Sequence, residues 1–139
     1  MKAFLVILVS TLFVALAQAD DSHFQGPITK ASEKVRVRGD NGQVKEYLTP
    51  KDLSLGGVIW HMGSYIMVEM GNVTRCPPYI GTLATDFTLT LKDESTGLVK
   101  TVTIKADSSA RVYGTCSGDS NQLGELSIEA VDMTKATIK

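Results

Sequence analysis

The chain has 139 residues, with 14 basic and 15 acidic side chains, 43% hydrophobic residues and 6% aromatics. That near balance of charge, without a basic run interleaved with aromatics, argues against a nucleic-acid-binding surface, and no nucleic-acid partner is expected. The length suffices for one well-packed domain and is too short for two.

Residues 1–19 come first in chain order. Lys2 supplies a basic start, Phe4 to Leu16 an apolar stretch, and Ala17-Gln18-Ala19 a small-x-small cleavage site followed by Asp20-Asp21. This pattern predicts a secretory signal peptide cleaved after Ala19. The apolar part is shorter than the roughly 20 residues a membrane span needs, and no later segment is long enough, so no membrane insertion is expected. Loss of Lys2 leaves 13 basic against 15 acidic residues, a net charge of about −2. The exported chain is expected to be secreted, extracellular and monomeric, with residues 20–32 a flexible N-terminal segment carrying a mobile His23 and residues 33–139 a single β domain.

From residue 33 the chain reads as short alternating segments separated by turn residues, the period of two that marks half-buried strands. Lys34 to Arg38 and Gln43 to Leu48 form the first pair, with Gly39, Asp40, Asn41 and Gly42 between them and Asn41-Gly42 setting the turn. Thr49-Pro50-Lys51-Asp52 predicts a single helical turn running to Leu55 and stopped by Gly56-Gly57. Tyr65 to Met70 is apolar nearly throughout and predicts a central strand buried on both faces. Tyr79 to Leu91 reads as one long strand that forms a hairpin with Leu98 to Lys105. Arg111 to Gly114, Leu123 to Val131 and Thr134 to Ile138 complete about seven or eight strands. The expected fold is all-β: a two-layer antiparallel β-sandwich, with a small up-and-down β-barrel as the alternative.

Cys76 and Cys116 are the only cysteines. In an oxidising compartment they are expected to form one intramolecular disulfide, an intermolecular pairing being the alternative. Pro77-Pro78 lacks backbone donors and is expected to mark a strand boundary or a sheet crossing, with the disulfide pinning the crossover. Asn72-Val73-Thr74 is an N-glycosylation acceptor, which would place it on a surface turn.

No catalytic pattern appears. His61 follows Trp60 at what reads as a strand edge, the cysteines are expected to be oxidised, and carboxylates such as Asp93, Glu94 and Asp107 sit in turn-like contexts. Catalysis by two carboxylates converging from distant strands is the pattern that sequence alone does not exclude. No enzyme activity, metal site or cofactor is expected, since the two cysteines and two histidines have no ligand spacing and no EF-hand pattern occurs.

Two resemblances follow from residues already named. Tyr65 to Cys76, the Phe87 to Leu91 and Val99 to Ile104 strands, and Gly114-Thr115-Cys116 together resemble a luminal half-repeat of the lysosome-associated membrane protein family, over less than half of the chain. That resemblance implies a β-rich glycosylated fold closed by a Cys76–Cys116 disulfide and no catalytic residue. Separately, Arg38-Gly39-Asp40 resembles the tripeptide by which extracellular matrix proteins and disintegrin-type inhibitors engage integrins, with Asp completing a divalent-cation site on the receptor and Arg pairing with its carboxylates. The expected function is therefore a secreted non-catalytic binding protein whose partner is an integrin-like cell-surface receptor. The alternatives are a carrier of a small apolar ligand, lined by Trp60, Tyr65, Met67, Phe87 and Tyr113, or a structural scaffold.

Overall fold

Strict alternation along most segments, rich in Val, Ile, Leu and Thr, leaves each strand one apolar edge to bury, and two facing sheets satisfy that demand. A computed structural model describes residues 21–50, 53, 56–71, 76–116 and 121–139. The strands are β1 (Ser22–Gly26), β2 (Ile28–Ala31), β3 (Lys34–Arg38), β4 (Val44–Leu48), β5 (Gly57–Met62), β6 (Tyr65–Gly71), β7 (Tyr79–Leu83), β8 (Phe87–Lys92), β9 (Val99–Ile104), β10 (Ser109–Gly114), β11 (Leu123–Ala130) and β12 (Ala136–Ile138). They form an eight-stranded sheet in the order β1-β5-β6-β11-β10-β7-β3-β4 and a four-stranded sheet in the order β12-β9-β8-β2. All ladders between these strands are antiparallel and neither sheet closes on itself, so the sandwich expectation holds and the barrel alternative does not.

One core lies between the sheets. The large sheet contributes Val35, Val37, Ile59, Ile66, Val68, Leu83, Val112, Leu126 and Ile128, and the small sheet Ile28, Phe87, Leu89, Leu91, Val102 and Ile104, all buried. Each such side chain contributes roughly 1.5–3 kcal/mol relative to exposure.

Twelve strands stand where seven or eight are expected, and three stretches account for the excess. Residues 22–31, expected to be flexible, instead form β1 and β2; β5 forms around Trp60-His61, where only a strand edge is expected; and the long segment from Tyr79 to Leu91 is two strands. β1 and β2 carry little pattern of their own, Phe24 and Ile28 being their only large apolar residues, and are held by pairing with β5 and β8. Pro27 separates them where the chain crosses from one sheet to the other, and its carbonyl accepts from Lys92 N–H at 3.0 Å. The long segment breaks at 84–86, where β7 ends in the large sheet and β8 begins in the small one. β6 is central, between β5 and β11, but its burial alternates: Ile66, Val68 and Met70 face the core, while Tyr65, Met67 and Glu69 are half-buried on the outer face. Of the expected helical turn, Lys51, Asp52, Ser54 and Leu55 lie outside the described residues. Leu53 packs against the core, and Gly56, with φ 74°, donates to its carbonyl at 3.3 Å, consistent with a stop there.

Asp93, in the β8–β9 turn, ties the small sheet to the edge of the large one. Its carboxylate accepts from the Thr96 hydroxyl at 2.7 Å, the Ser95 hydroxyl at 2.9 Å and the Gln25 N–H of β1 at 3.3 Å. These donors, the Thr96 hydroxyl foremost, hold the carboxyl at about 2, below its ordinary 3.8. A carboxyl depressed on folding stabilises fully above its unfolded value, and that contribution is lost as pH falls through the folded one. Asp93→Asn is therefore expected to lower stability at neutral pH and to flatten the decline between about pH 4 and 2. Urea midpoints measured across that range check it, and parallel wild-type and mutant curves would count against the role.

Candidate functional site

The β3–β4 turn begins where Arg38 pairs with Val44. Gly39 N–H donates to the Gln43 carbonyl at 3.0 Å, Gly42 N–H to the Gly39 carbonyl at 2.9 Å, and Gln43 N–H to Asn41 Oδ1 at 3.0 Å. Asp40 and Asn41 occupy the centre with negative φ, and Gly42 follows in the left-handed region at φ 79°. This is a turn closed by a glycine bulge rather than one centred on Asn41-Gly42, because an Asn-Gly pair at the centre of a primed turn would need positive φ at both.

Tyr79 of β7 explains Gly39. Its hydroxyl donates to the Gln43 carbonyl at 2.7 Å, and a Cβ built on Gly39 would stand 2.4 Å from that hydroxyl oxygen. Lys45 Nζ lies 4.5 Å from the centroid of the same ring, a cation–π contact that holds the ring's other side. A larger residue at position 39 would push the Tyr79 hydroxyl off the Gln43 carbonyl, so packing favours the glycine of the triplet whatever binds outside.

Arg38 and Asp40 do not share a free tip. Arg38 ends β3 in the interior of the sheet order, paired with Val44 on one side and Thr82 of β7 on the other, with its side chain exposed on the outer face. Asp40 is exposed in the turn beyond it. Among the described residues neither side chain has an ion pair, whereas neighbouring Lys34 and Arg36 both reach Glu46 at 3.5 Å. A groove of about 460 Å³ opens beside them, lined by Arg38, Asp40, Thr82, Ser109, Arg111 and Glu129 among others. Arg111 and Glu129 arrive from β10 and β11, distant in sequence, and only the sheet order reveals them.

Cys76 and Cys116 form a disulfide with Cα atoms 5.6 Å apart, joining the segment before β7 to the segment after β10. Pro77-Pro78 separates Cys76 from the start of β7 at Tyr79, a strand boundary and not a sheet crossing, since β6 and β7 both belong to the large sheet. Asn72 lies outside the described residues. His23, expected to be mobile, sits in β1 opposite Trp60, with ring centroids 5.6 Å apart. His61 Nε2 lies 3.0 Å from the Gly63 carbonyl and so carries the hydrogen that closes the β5–β6 turn.

The carboxylates that converge do so elsewhere, on the outer face of β6 and β11. Burial, and then the charge of Glu125, push the Glu69 carboxyl above its ordinary value, and burial followed by Glu129 and Glu69 raises the Tyr65 phenol. Gln25, Gly26, Glu94 and backbone from Gly56 complete a groove of about 340 Å³ around Glu69 and Glu125. Among the described residues no group of three or more His, Cys, Asp or Glu is arranged to hold a metal ion.

The side chains named for an apolar carrier do not share one site: Trp60 and Met67 are cross-strand neighbours with Tyr65 beside them, but Phe87 and Tyr113 lie elsewhere. Phe87 is buried in the core, while Trp60, Tyr65, Met67 and Tyr113 occupy outward strand positions on the large sheet. The chain matches no protein-family model, and no curated protein or solved structure is significantly similar to it.

Proposed function

We infer that the protein is a secreted, non-catalytic recognition protein that engages an integrin-type cell-surface receptor through Arg38 and Asp40. The observation that carries this reading is the state of Asp40: an exposed carboxylate without an intramolecular ion pair among the described residues, on a turn held by three hydrogen bonds and the Tyr79 hydroxyl. A pre-ordered turn spares the ordering cost of binding. Its carboxylate oxygen is a hard ligand for a receptor-bound Mg²⁺ or Ca²⁺, and the Arg38 guanidinium suits bidentate pairing with receptor carboxylates.

The leader-like residues 1–19, the disulfide, and the absence among the described residues of a helix long and apolar enough to cross a membrane agree with export. The luminal-repeat resemblance supports the same disulfide-closed, non-catalytic domain. Asn72 would carry its N-linked glycan in the segment between β6 and Cys76.

Adhesion of integrin-bearing cells to the immobilised protein tests the reading. Asp40→Glu keeps the charge but moves the ligand oxygen by one methylene, and is expected to lower adhesion by roughly tenfold or more, as is chelation of divalent cations. Adhesion indifferent to both would remove the proposal.

A further inference from the structure

The four-stranded sheet has an outer face unlike that of the large sheet. None of its strands contains an Asp or Glu, whereas the large sheet carries Glu46, Glu69, Glu125 and Glu129 on its strands. With Leu89, Leu91, Val102, Ile104 and Ala136 turned inward, alternation places Thr88, Thr90, Thr101, Thr103 and Thr137 outward.

Register aligns these groups. One row runs Lys30, Thr90 and Thr101 across β2, β8 and β9 and ends at Lys139, just past β12, through the paired backbone bonds between Thr101 and Lys139 at 2.8 and 2.9 Å. A second runs Thr88, Thr103, Thr137. Lys92, opposite Val99, and Lys105, just beyond Ile104, stand at the two ends of the strands. All four lysines are exposed and none has an ion pair among the described residues. By strand geometry Lys30 and Lys139 are roughly 14 Å apart and Lys92 and Lys105 roughly 20 Å, so four cations frame a threonine field. The Thr90–Thr101 and Thr88–Thr103 hydroxyls bond each other at 3.1 and 3.4 Å. Each such pair leaves one hydroxyl hydrogen for a ligand.

Protection of sheet edges accounts for part of this, since lysines deter edge-to-edge pairing. It explains Lys30 on β2 and Lys139 beside β12, the two edges. It does not explain Lys92 in the central β8 or Lys105 just after the end of the central β9.

We propose that this face is a second binding surface, independent of the Arg38–Asp40 turn, and that it takes a sulfated polysaccharide. Charge complementarity selects a polyanion. The interleaved hydroxyls select one whose sulfate and sugar oxygens accept hydrogen bonds between the charges. A lipid surface rewards apolar insertion, and Val99 at one corner is the only large apolar side chain outward on these strands. Single-stranded nucleic acid rewards aromatic stacking, and no aromatic faces outward here.

The test measures affinity of the intact protein for heparin as a function of salt, with anionic phosphatidylserine-containing vesicles and duplex DNA as rival probes. Lys30→Gln/Lys92→Gln/Lys105→Gln is expected to weaken heparin binding by roughly tenfold or more and to reduce the salt slope by about one for each lysine removed. Thr90→Val/Thr101→Val is expected to weaken it by about two- to fivefold with the slope unchanged, since hydroxyls but no charges are lost. Lys34→Gln/Arg36→Gln, on the other sheet, is expected to match wild type. Absence of heparin binding, equal loss in the Lys34/Arg36 control, or tighter lysine-dependent binding to vesicles or DNA overturns the proposal.

Discussion

Gly81→Ala is expected to lower stability by about 3 kcal/mol or more and to weaken adhesion with it. A Cβ at this position would lie 1.9 Å from the Arg38 carbonyl oxygen and 2.7 Å from its carbon, both backbone atoms of the neighbouring strand. No side chain can move aside to relieve that contact, so β3 and β7 must separate where Val37 pairs with Leu83 and Arg38 with Thr82. The separation would also shift Arg38, and with it the groove that β7 floors.

Gly42→Ala provides the contrast. A Cβ at Gly42 would meet no atom within 4 Å, but its φ of 79° is unfavourable for alanine, so a loss of about 1 kcal/mol is expected. Urea unfolding of both variants separates the two causes. Stability of Gly81→Ala within about 0.5 kcal/mol of wild type would show that the strands have more freedom than this close approach allows. Heparin binding by the folded fraction of Gly81→Ala should persist, since the lysine face belongs to the other sheet.

Removal of the disulfide by Cys76→Ser/Cys116→Ser is expected to cost about 3–4 kcal/mol, from a bridge between residues 40 apart in sequence. For a domain of this size that corresponds to a fall in Tm of roughly 10–15 °C. The bridge constrains the entry to β7 and the exit from β10, which pair through Tyr79 and Val112. Amide exchange should therefore accelerate in β7 more than in the β8–β9 hairpin, which is tied by its own turn. Thermal unfolding with and without reductant checks the magnitude, and an unchanged Tm would show that the closed loop contributes little to folding.

How much of the fold is legible in the sequence depends on how local each interaction is. The β3–β4 and β8–β9 hairpins are readable because alternation on both sides and the residues between them are neighbours in the chain. The break at 84–86 is not. Leu83, Phe87, Leu89 and Leu91 keep one phase of alternation through the corner, since each faces the shared core from whichever sheet it occupies. β1 and β2 are hidden for a related reason: one large apolar residue each makes no period, and their stability comes from partners far along the chain. The triplet at Arg38 is visible, but the close approach of the Tyr79 hydroxyl to Gly39 is not, nor is the alignment of Arg111 and Glu129 with it.

By itself the sequence determined the all-β class, the leader-like start, the available cysteine pair and the turn residues, because each follows from chemistry within a few positions or from a simple count. The tertiary structure alone decided that twelve strands divide eight and four and that Arg38 and Asp40 line one groove with Arg111 and Glu129. It also gathered four lysines and five threonines on a sheet without carboxylates. Those are consequences of register, and register is a long-range choice: burying the apolar edge of every strand in one shared core determines which outward residues become neighbours.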